Sequence, residues 1–249
     1  MIETRLVRDE RGFSFTELMV ALLVSGMLML ATVGIYSNAM SLFLIESNRA
    51  EAQQAARVAL SLQEDLRLIG GGVPGAQAKI TAASATAITF VGDTRGASTL
   101  LSTAVNAGAT TLSVNGTVGI YSGDTVNLIN GATWQSVVAG AVTANSITVA
   151  PALTSAYPIG TQVGVPRTIT YSYNAATRTL SRDAGDGGGL LAVATGVSNF
   201  QLTYYNANNV VDNTLASIRR ISVTITTQSA MSLDQQSFTI NSDVRPRNL

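Results

Sequence analysis

An apolar run without a charged residue extends from Leu18 to Ile45, and its first part reads LMVALLVSGMLMLATVGI. An α-helix rises about 1.5 Å per residue, so a helix over this run can cross a hydrocarbon core about 30 Å thick. A cleaved secretory signal would need a small-residue cleavage site after the run, and no convincing site precedes the amphipathic sequence that begins at Glu46. We therefore predict a membrane helix and no signal-peptidase cleavage behind it.

The composition excludes several kinds of chemistry. The 249 residues include no cysteine and no histidine, which excludes disulfides, thiol chemistry, His-based metal sites and Ser/His or Cys/His catalysis. Charged residues make up only 12% of the chain and the formal net charge is +0, so no strong attraction to nucleic acid or anionic lipid is expected. The 46% of hydrophobic residues can form a sizeable core.

A short polar leader, MIETRLVRDERG, stands before the apolar run and is followed by FSFTELMVALL. Residues Gly12 to Glu17, GFSFTE, resemble the type IV prepilin cleavage motif, G-F-[ST]-x-x-E followed by an apolar helix. The resemblance implies that a membrane-embedded prepilin peptidase cuts after Gly12 and methylates the new N-terminal amine, which is that of Phe13. The apolar helix then stays in the product.

Glu17 is the one acidic residue at the edge of the apolar run. An ionised carboxylate at membrane depth costs several kcal/mol unless it is paired, so a partner is needed. The resemblance implies that this carboxylate faces the charged N-terminal amine of a neighbouring subunit and so sets the axial register during filament assembly. The alternative is an interfacial glutamate that extends to the lipid headgroups.

After Ile45 the sequence becomes amphipathic, with a single apolar face and charged residues largely off it. The run Gly70–Gly72 and Pro74 predict that the helix ends near Ile69. We therefore expect one helix from Phe13 to Ile69, half in the membrane and half against a globular domain. The members of the apolar face are Ala55, Ala59, Leu62, Leu66 and Ile69.

The region beyond Pro74 is rich in β-branched residues separated by Gly, Asn, Asp and Ser, which predicts short strands. The predicted strands are 87–92, 110–114, 124–129, 146–150, 168–173, 200–205, 218–227 and 236–241. Two segments, TTLSVNGTVGIYSGDTVNL and NSITVAPALTSAYPIGTQVGV, look like copies of one unit. Two copies are too few for a solenoid, so we predict a small β subdomain inserted between about Ser98 and Pro166, either a binding surface or a packing module.

The order of the stalk, the strands of 168–227 and the final VRPRNL resembles the minor pilins of the PilW type. That resemblance implies a low-abundance subunit that helps a minor pilin complex initiate assembly and sits at the filament tip. The expected fold class is α+β, a long N-terminal helix packed on an antiparallel sheet with an inserted β subdomain. The expected divisions are a leader (1–12), a transmembrane and stalk helix (13–70) and a β-rich globular domain (71–249).

The partners implied by the resemblance are prepilin peptidase, the major pilin and other minor pilins, the inner-membrane assembly platform, and lipid before assembly. The implied location is the inner membrane, single-pass with a periplasmic C-terminal domain, and then the pilus at the cell surface. No cofactor, nucleic acid or catalysis is expected.

Three other functions stay open: a minor pseudopilin of a type II secretion system, a tip subunit for adhesion or DNA uptake through the insert, and a membrane-anchored enzyme. The glycine-rich run 185–189 is expected to be a hairpin turn rather than a phosphate cradle, and Asp183 with Asp186 a turn rather than a calcium site.

Overall fold

The computed structural model describes residues 14–228 and 237–249, without the side chains of 47–52. It contains one long helix, α1 (Phe15–Arg67), a 3-10 turn η1 (Leu215–Ser217), and strands that all pair antiparallel. The chain divides into two compact units, the first ending at Arg49 and the second beginning at Ala50. The strands are β1 (Ile80–Ala83), β2 (Ala87–Gly92), β3 (Thr99–Leu100), β4 (Thr111–Ser113), β5 (Thr125–Asn130), β6 (Thr133–Thr143), β7 (Ser146–Ala150), β8 (Gln162–Gly164), β9 (Arg167–Asn174), β10 (Thr179–Asp183), β11 (Leu191–Ala194), β12 (Val197–Tyr205), β13 (Arg220–Gln228) and β14 (Ser237–Val244).

The first unit consists of the apolar part of α1. Residues Phe15–Glu46 form a 32-residue segment whose most apolar window has a mean hydropathy of 2.4 and is not buried by the rest of the chain. By length and composition this segment can cross a membrane. The predicted apolar helix is therefore confirmed.

In the second unit, the remainder of α1 buries one face. Ala55, Ala59, Leu62 and Leu66 are buried, as their spacing predicted. The helix ends at Arg67, two residues before the predicted Ile69. The reason is that Ile69 leaves the helix to form a β-bridge with Gly92, where a Cβ atom would collide with the carbonyl oxygen of Leu68.

This face of α1 lies over a core shared by two sheets. One sheet has the strand order β1-β2-β9-β10-β11 and the other the order β12-β13-β14. Leu62, Phe90, Tyr171, Phe200 and Ile225 are among the buried residues that α1 and both sheets contribute to this core. The α+β fold class predicted from the sequence is confirmed.

A third sheet, with the order β3-β8-β5-β6-β7-β4, is built wholly from strands between Thr99 and Gly164. Its two ends meet, because Leu101 forms a bridge with Val114 directly beyond β3 and β4, and Asn115 N–H donates to the Leu100 carbonyl at 3.0 Å. The sheet is therefore a closed six-stranded barrel, and it has a core of its own, separate from the core under α1. The predicted inserted β subdomain is confirmed as part of the fold.

The two similar segments of the sequence contribute four of the six barrel strands, and β3 precedes the first segment in the chain and β6 the second. The first strands of the two copies, β4 and β7, pair with each other, and so do the second strands, β5 and β8. If β3, β4 and β5 are exchanged with β6, β7 and β8 respectively, the barrel contains the same set of neighbouring strand pairs. The repeat therefore forms a pseudo-twofold barrel in which the two copies interlock.

Three contacts fasten the barrel to the sheet domain. Gly164 lies so close to Gly72 that a Cβ on Gly164 would be 2.7 Å from the Gly72 Cα. Asn127 Nδ2 donates to the Gly72 carbonyl at 3.0 Å, and Arg167 Nη2 lies 2.7 Å from Asp124 Oδ1. The barrel is inserted between β2 and β9, which pair directly, and Gly92 is the register partner of Arg167 where the insertion begins and ends.

We predict that the sheet domain folds without the barrel. In the variant chain, residues 93–166 are replaced by Asn-Gly, a two-residue hairpin turn that suits the register of Gly92 and Arg167. Arg167→Thr is added, because Arg167 loses Asp124. Near-ultraviolet circular dichroism of the detergent-solubilised chain should still show packed tyrosines and a cooperative urea transition. A non-cooperative transition would show that the sheet domain depends on the barrel.

Candidate assembly site

Glu17 lies in the first turn of α1, and its carboxylate has a local partner. The backbone N–H of Ser14 donates to Glu17 Oε2 at 2.9 Å, and the Leu18 N–H donates to the Ser14 carbonyl at 3.1 Å. Ser14 therefore caps the N-terminus of the helix. Glu17, three residues later, accepts the Ser14 N–H as the acidic residue of a capping box does. The pattern S-x-x-E before an apolar run is a signal for this arrangement that the sequence analysis did not use.

Three hydroxyl side chains of the apolar segment form hydrogen bonds within the helix. The hydroxyls of Ser25, Thr32 and Ser41 donate to backbone carbonyls one turn earlier, at 2.8 to 3.0 Å. A hydroxyl bonded in this way can lie in an apolar environment without an outside partner. Glu17 differs from these hydroxyls, because an ionised carboxylate in an apolar environment needs more than the one hydrogen bond that the described residues give it.

Gly12 and Phe13, predicted to flank the cleaved bond, lie outside the described residues. The chain matches the prokaryotic N-terminal methylation motif over residues 7–33, a range that includes Gly12, Phe13 and Glu17. No curated protein and no solved structure matches the chain.

The motif match and the apolar helix together define a class of protein. They support a type IV pilin-like prepilin that is anchored in a membrane by its N-terminal helix. In this class, prepilin peptidase and filament assembly partners are expected in general. Such proteins are generally structural subunits rather than enzymes.

A buried polar cluster that the sequence analysis missed joins the end of α1 to the five-stranded sheet. Asp65 Oδ2 accepts hydrogen bonds from Tyr171 Oη and from Arg182 Nε, each at 2.7 Å. Burial, and then the negative charge of Asp65, raise the pKa of the Tyr171 hydroxyl. Burial alone would lower the pKa of Arg182, but its hydrogen bond to Asp65 and the charge of that carboxylate raise it.

A second cluster lies where the barrel meets the sheet domain. Asp124 is 9% exposed; its Oδ2 accepts the Tyr121 N–H at 2.9 Å and lies 3.6 Å from Arg95 Nη1. Arg167 binds the other carboxylate oxygen, and its Nη1 donates to the Gly185 carbonyl at 3.3 Å. Two arginines therefore face one buried carboxylate in this cluster, which joins the barrel to the glycine-rich turn.

The remaining sequence candidates lie in turns and strands. Asp183 Oδ1 accepts the Gly185 N–H at 2.8 Å and Asp186 Oδ1 accepts the Gly188 N–H at 3.0 Å, as expected for tight turns. Tyr204 is buried and donates to the Ser84 carbonyl at 2.8 Å, as a sheet-packing residue does.

The free energy of unfolding should fall as the pH rises above about 10, the ordinary pKa of tyrosine. The pKa values of Tyr171 and Tyr204 are raised in the folded chain, mainly by burial. The unfolded chain therefore loses these protons first, and each tyrosine contributes a slope of up to about 1.4 kcal/mol per pH unit. Urea unfolding of the wild-type chain and of Tyr171→Phe between about pH 8 and pH 11 measures this, and an equal slope in both would contradict it.

Proposed function

We propose that this chain is a minor pilin-like subunit of the PilW type that takes part in type IV pilus assembly. The methylation-motif match over residues 7–33, which extends into an exposed apolar helix, is the observation that carries the proposal. Prepilin peptidase cleaves after Gly12, Phe13 becomes the methylated N-terminus, and the helix anchors the subunit in the inner membrane with its β domain in the periplasm. The order of the C-terminal strands supports the PilW type and a place in a tip or initiation complex.

Assembly moves the apolar helix from lipid into a filament core of similar helices. Both surroundings are apolar, so the hydrophobic effect favours neither strongly. Packing between helices and a charge pair must then supply the preference. Glu17 provides the acidic half of that pair, and the amine of Phe13 in a neighbouring subunit provides the basic half.

Cleavage and assembly should respond differently to changes at Glu17. The chain isolated from membranes that contain prepilin peptidase should begin at N-methylated Phe13, measured by intact mass and N-terminal sequencing. Glu17→Ala should be processed and yet absent from sheared filaments, because the neighbouring amine loses its partner. Retention of Met1 in the presence of active peptidase would contradict the proposal.

The Glu17→Gln variant distinguishes the effect of the carboxylate charge on assembly from the effect of the helix cap. A glutamine still offers an oxygen to the Ser14 N–H, so a residue needed only for capping tolerates this change. We expect Glu17→Gln to fail in assembly as Glu17→Ala does, because the amide carries no charge. Normal assembly of Glu17→Gln would show that the charge of Glu17 is not needed and that the residue serves only to cap its own helix.

A second function, attachment through the barrel, is favoured by the charge distribution. Between Gly96 and Pro166 the only charged residue is Asp124, and it is buried. The barrel surface therefore offers neutral polar groups and exposed apolar side chains, including Val118, Tyr121 and Ile159. Binding of a phosphate backbone relies on Lys and Arg, so this surface suits an uncharged target rather than DNA.

We expect binding through the barrel to be insensitive to salt. The probes are beads of dextran, cellulose and chitin, with DNA beads for comparison, at about 50 and about 500 mM salt. The intact chain should be retained on at least one neutral polysaccharide equally at both salt concentrations, and the variant lacking 93–166 should not. Salt-sensitive retention on DNA, or equal retention without the barrel, would contradict attachment through this surface.

A further inference from the structure

Among the described residues of the second unit, the strand β14 has one unpaired edge. It pairs with β13 on one side, and no described strand pairs with its other side. β14 is eight residues long, carries Asp243 as its only charge, contains no proline and pairs with β13 without a bulge. Natural sheets usually protect such an edge with charges, proline or bulges.

The other sheet edges among the described residues are closed, covered or short. The barrel has no free edge because its ends meet. The outer side of β12 donates from Leu202 N–H to the Ala85 carbonyl at 2.8 Å and from Val197 N–H to the Arg178 carbonyl at 3.0 Å. β1 and β11 are four residues each. β14 is therefore the described edge best suited to accept another strand.

An apolar groove accompanies the open edge. Its volume is about 360 Å³, and α1 forms one wall while β14 forms the other. Leu60 is 60% exposed and Phe238 is 48% exposed in this groove, although both are large apolar side chains. The lining residues are Ala56, Ala59, Leu60, Gln63, Phe238, Ile240, Asn241 and Ser242.

A separate basic cleft of about 590 Å³ includes the residues that come next along α1 and β14, together with Asn209 and Arg220. Arg67 follows Gln63 by one helical turn, and Asp243 and Arg245 follow Ser242 along the chain. Arg220 also lines the cleft, and its Nη1 lies 3.2 Å from Asp243 Oδ2. Three guanidinium groups thus face one carboxylate, and among the described residues Arg67 and Arg245 have no ion-pair partner.

We propose that an extended segment of another protein adds to β14 as a further strand, with an apolar side chain in the groove and an acidic group in the arginine cleft. Strand addition supplies backbone hydrogen bonds to an open edge, while side-chain pockets beside the edge supply specificity. The excess of positive charge at one end selects an acidic segment and fixes its direction. This surface is separate from the N-terminal motif and from the barrel.

The test uses labelled eight-residue peptides and the full chain in detergent micelles. One peptide alternates valine and threonine and ends in two aspartates, a second begins with the two aspartates, and a third carries two lysines in their place. Fluorescence anisotropy should show that one aspartate peptide binds at least about tenfold more tightly than the lysine peptide. Amide hydrogen exchange should slow in β14 when that peptide is bound.

Two variants locate the binding surface. Leu60→Asp should weaken binding of all the peptides about tenfold or more, and Arg67→Glu with Arg245→Glu should reverse the preference for aspartate over lysine. The matched controls are Val118→Asp, at a side chain 93% exposed on the barrel, and Arg178→Glu, at an exposed turn. Leu60→Ser replaces Leu60→Asp if circular dichroism shows that the aspartate variant is misfolded.

Three outcomes would overturn the proposal. Equal binding of the aspartate and lysine peptides, or no saturable binding up to about 1 mM, would exclude an acidic strand. An equal effect of Val118→Asp and Leu60→Asp would indicate uptake by the micelle. The third outcome is slow amide hydrogen exchange in β14 without peptide, together with a dimer in size-exclusion chromatography with light scattering. It would mean that a second copy of the chain covers the edge.

Discussion

The main constraint on this chain is an apolar helix that the described residues leave uncovered. The most apolar part of Phe15–Glu46 is fully exposed, whereas an exposed apolar patch of a soluble protein rarely exceeds a few hundred Å². Some other apolar medium must therefore surround this helix, and lipid or a bundle of similar helices can do so. The helix has no Lys, Arg or Asp before Glu46, so Glu17 is the single charged residue that enters this medium with the helix.

The two parts of α1 differ in how their side chains are buried and hydrogen-bonded. In the apolar half, the hydroxyl groups of Ser25, Thr32 and Ser41 form hydrogen bonds to the helix backbone. In the second unit, Leu62 and Leu66 bury one face against the sheets, while exposed charged residues such as Arg57 and Glu64 occupy the opposite side. One continuous helix can thus enter an apolar medium at one end and belong to a folded domain at the other.

Local patterns predicted the helix and several strands well, because apolar periodicity and turn residues are local signals. β2 and β7 match the predicted 87–92 and 146–150, and the repeat predicted a compact insert. The closure of the barrel depends on a bridge between Leu101 and Val114 and on pairing of interlocked copies, for which neither segment alone carries a signal. The bond from Tyr171 to Asp65 joins residues 106 positions apart, so no local pattern could predict it.

The hydrogen bond from Tyr171 to Asp65 also helps to explain how α1 is held in one position on the sheets. The apolar face repeats every three or four residues, so a shift by one turn would still place apolar side chains on the core. Asp65 breaks this equivalence, because its carboxylate is buried and needs both Tyr171 and Arg182. A shifted helix would leave a carboxylate and a guanidinium without partners, which costs several kcal/mol. We interpret the cluster as the contact that fixes the register between α1 and the sheet.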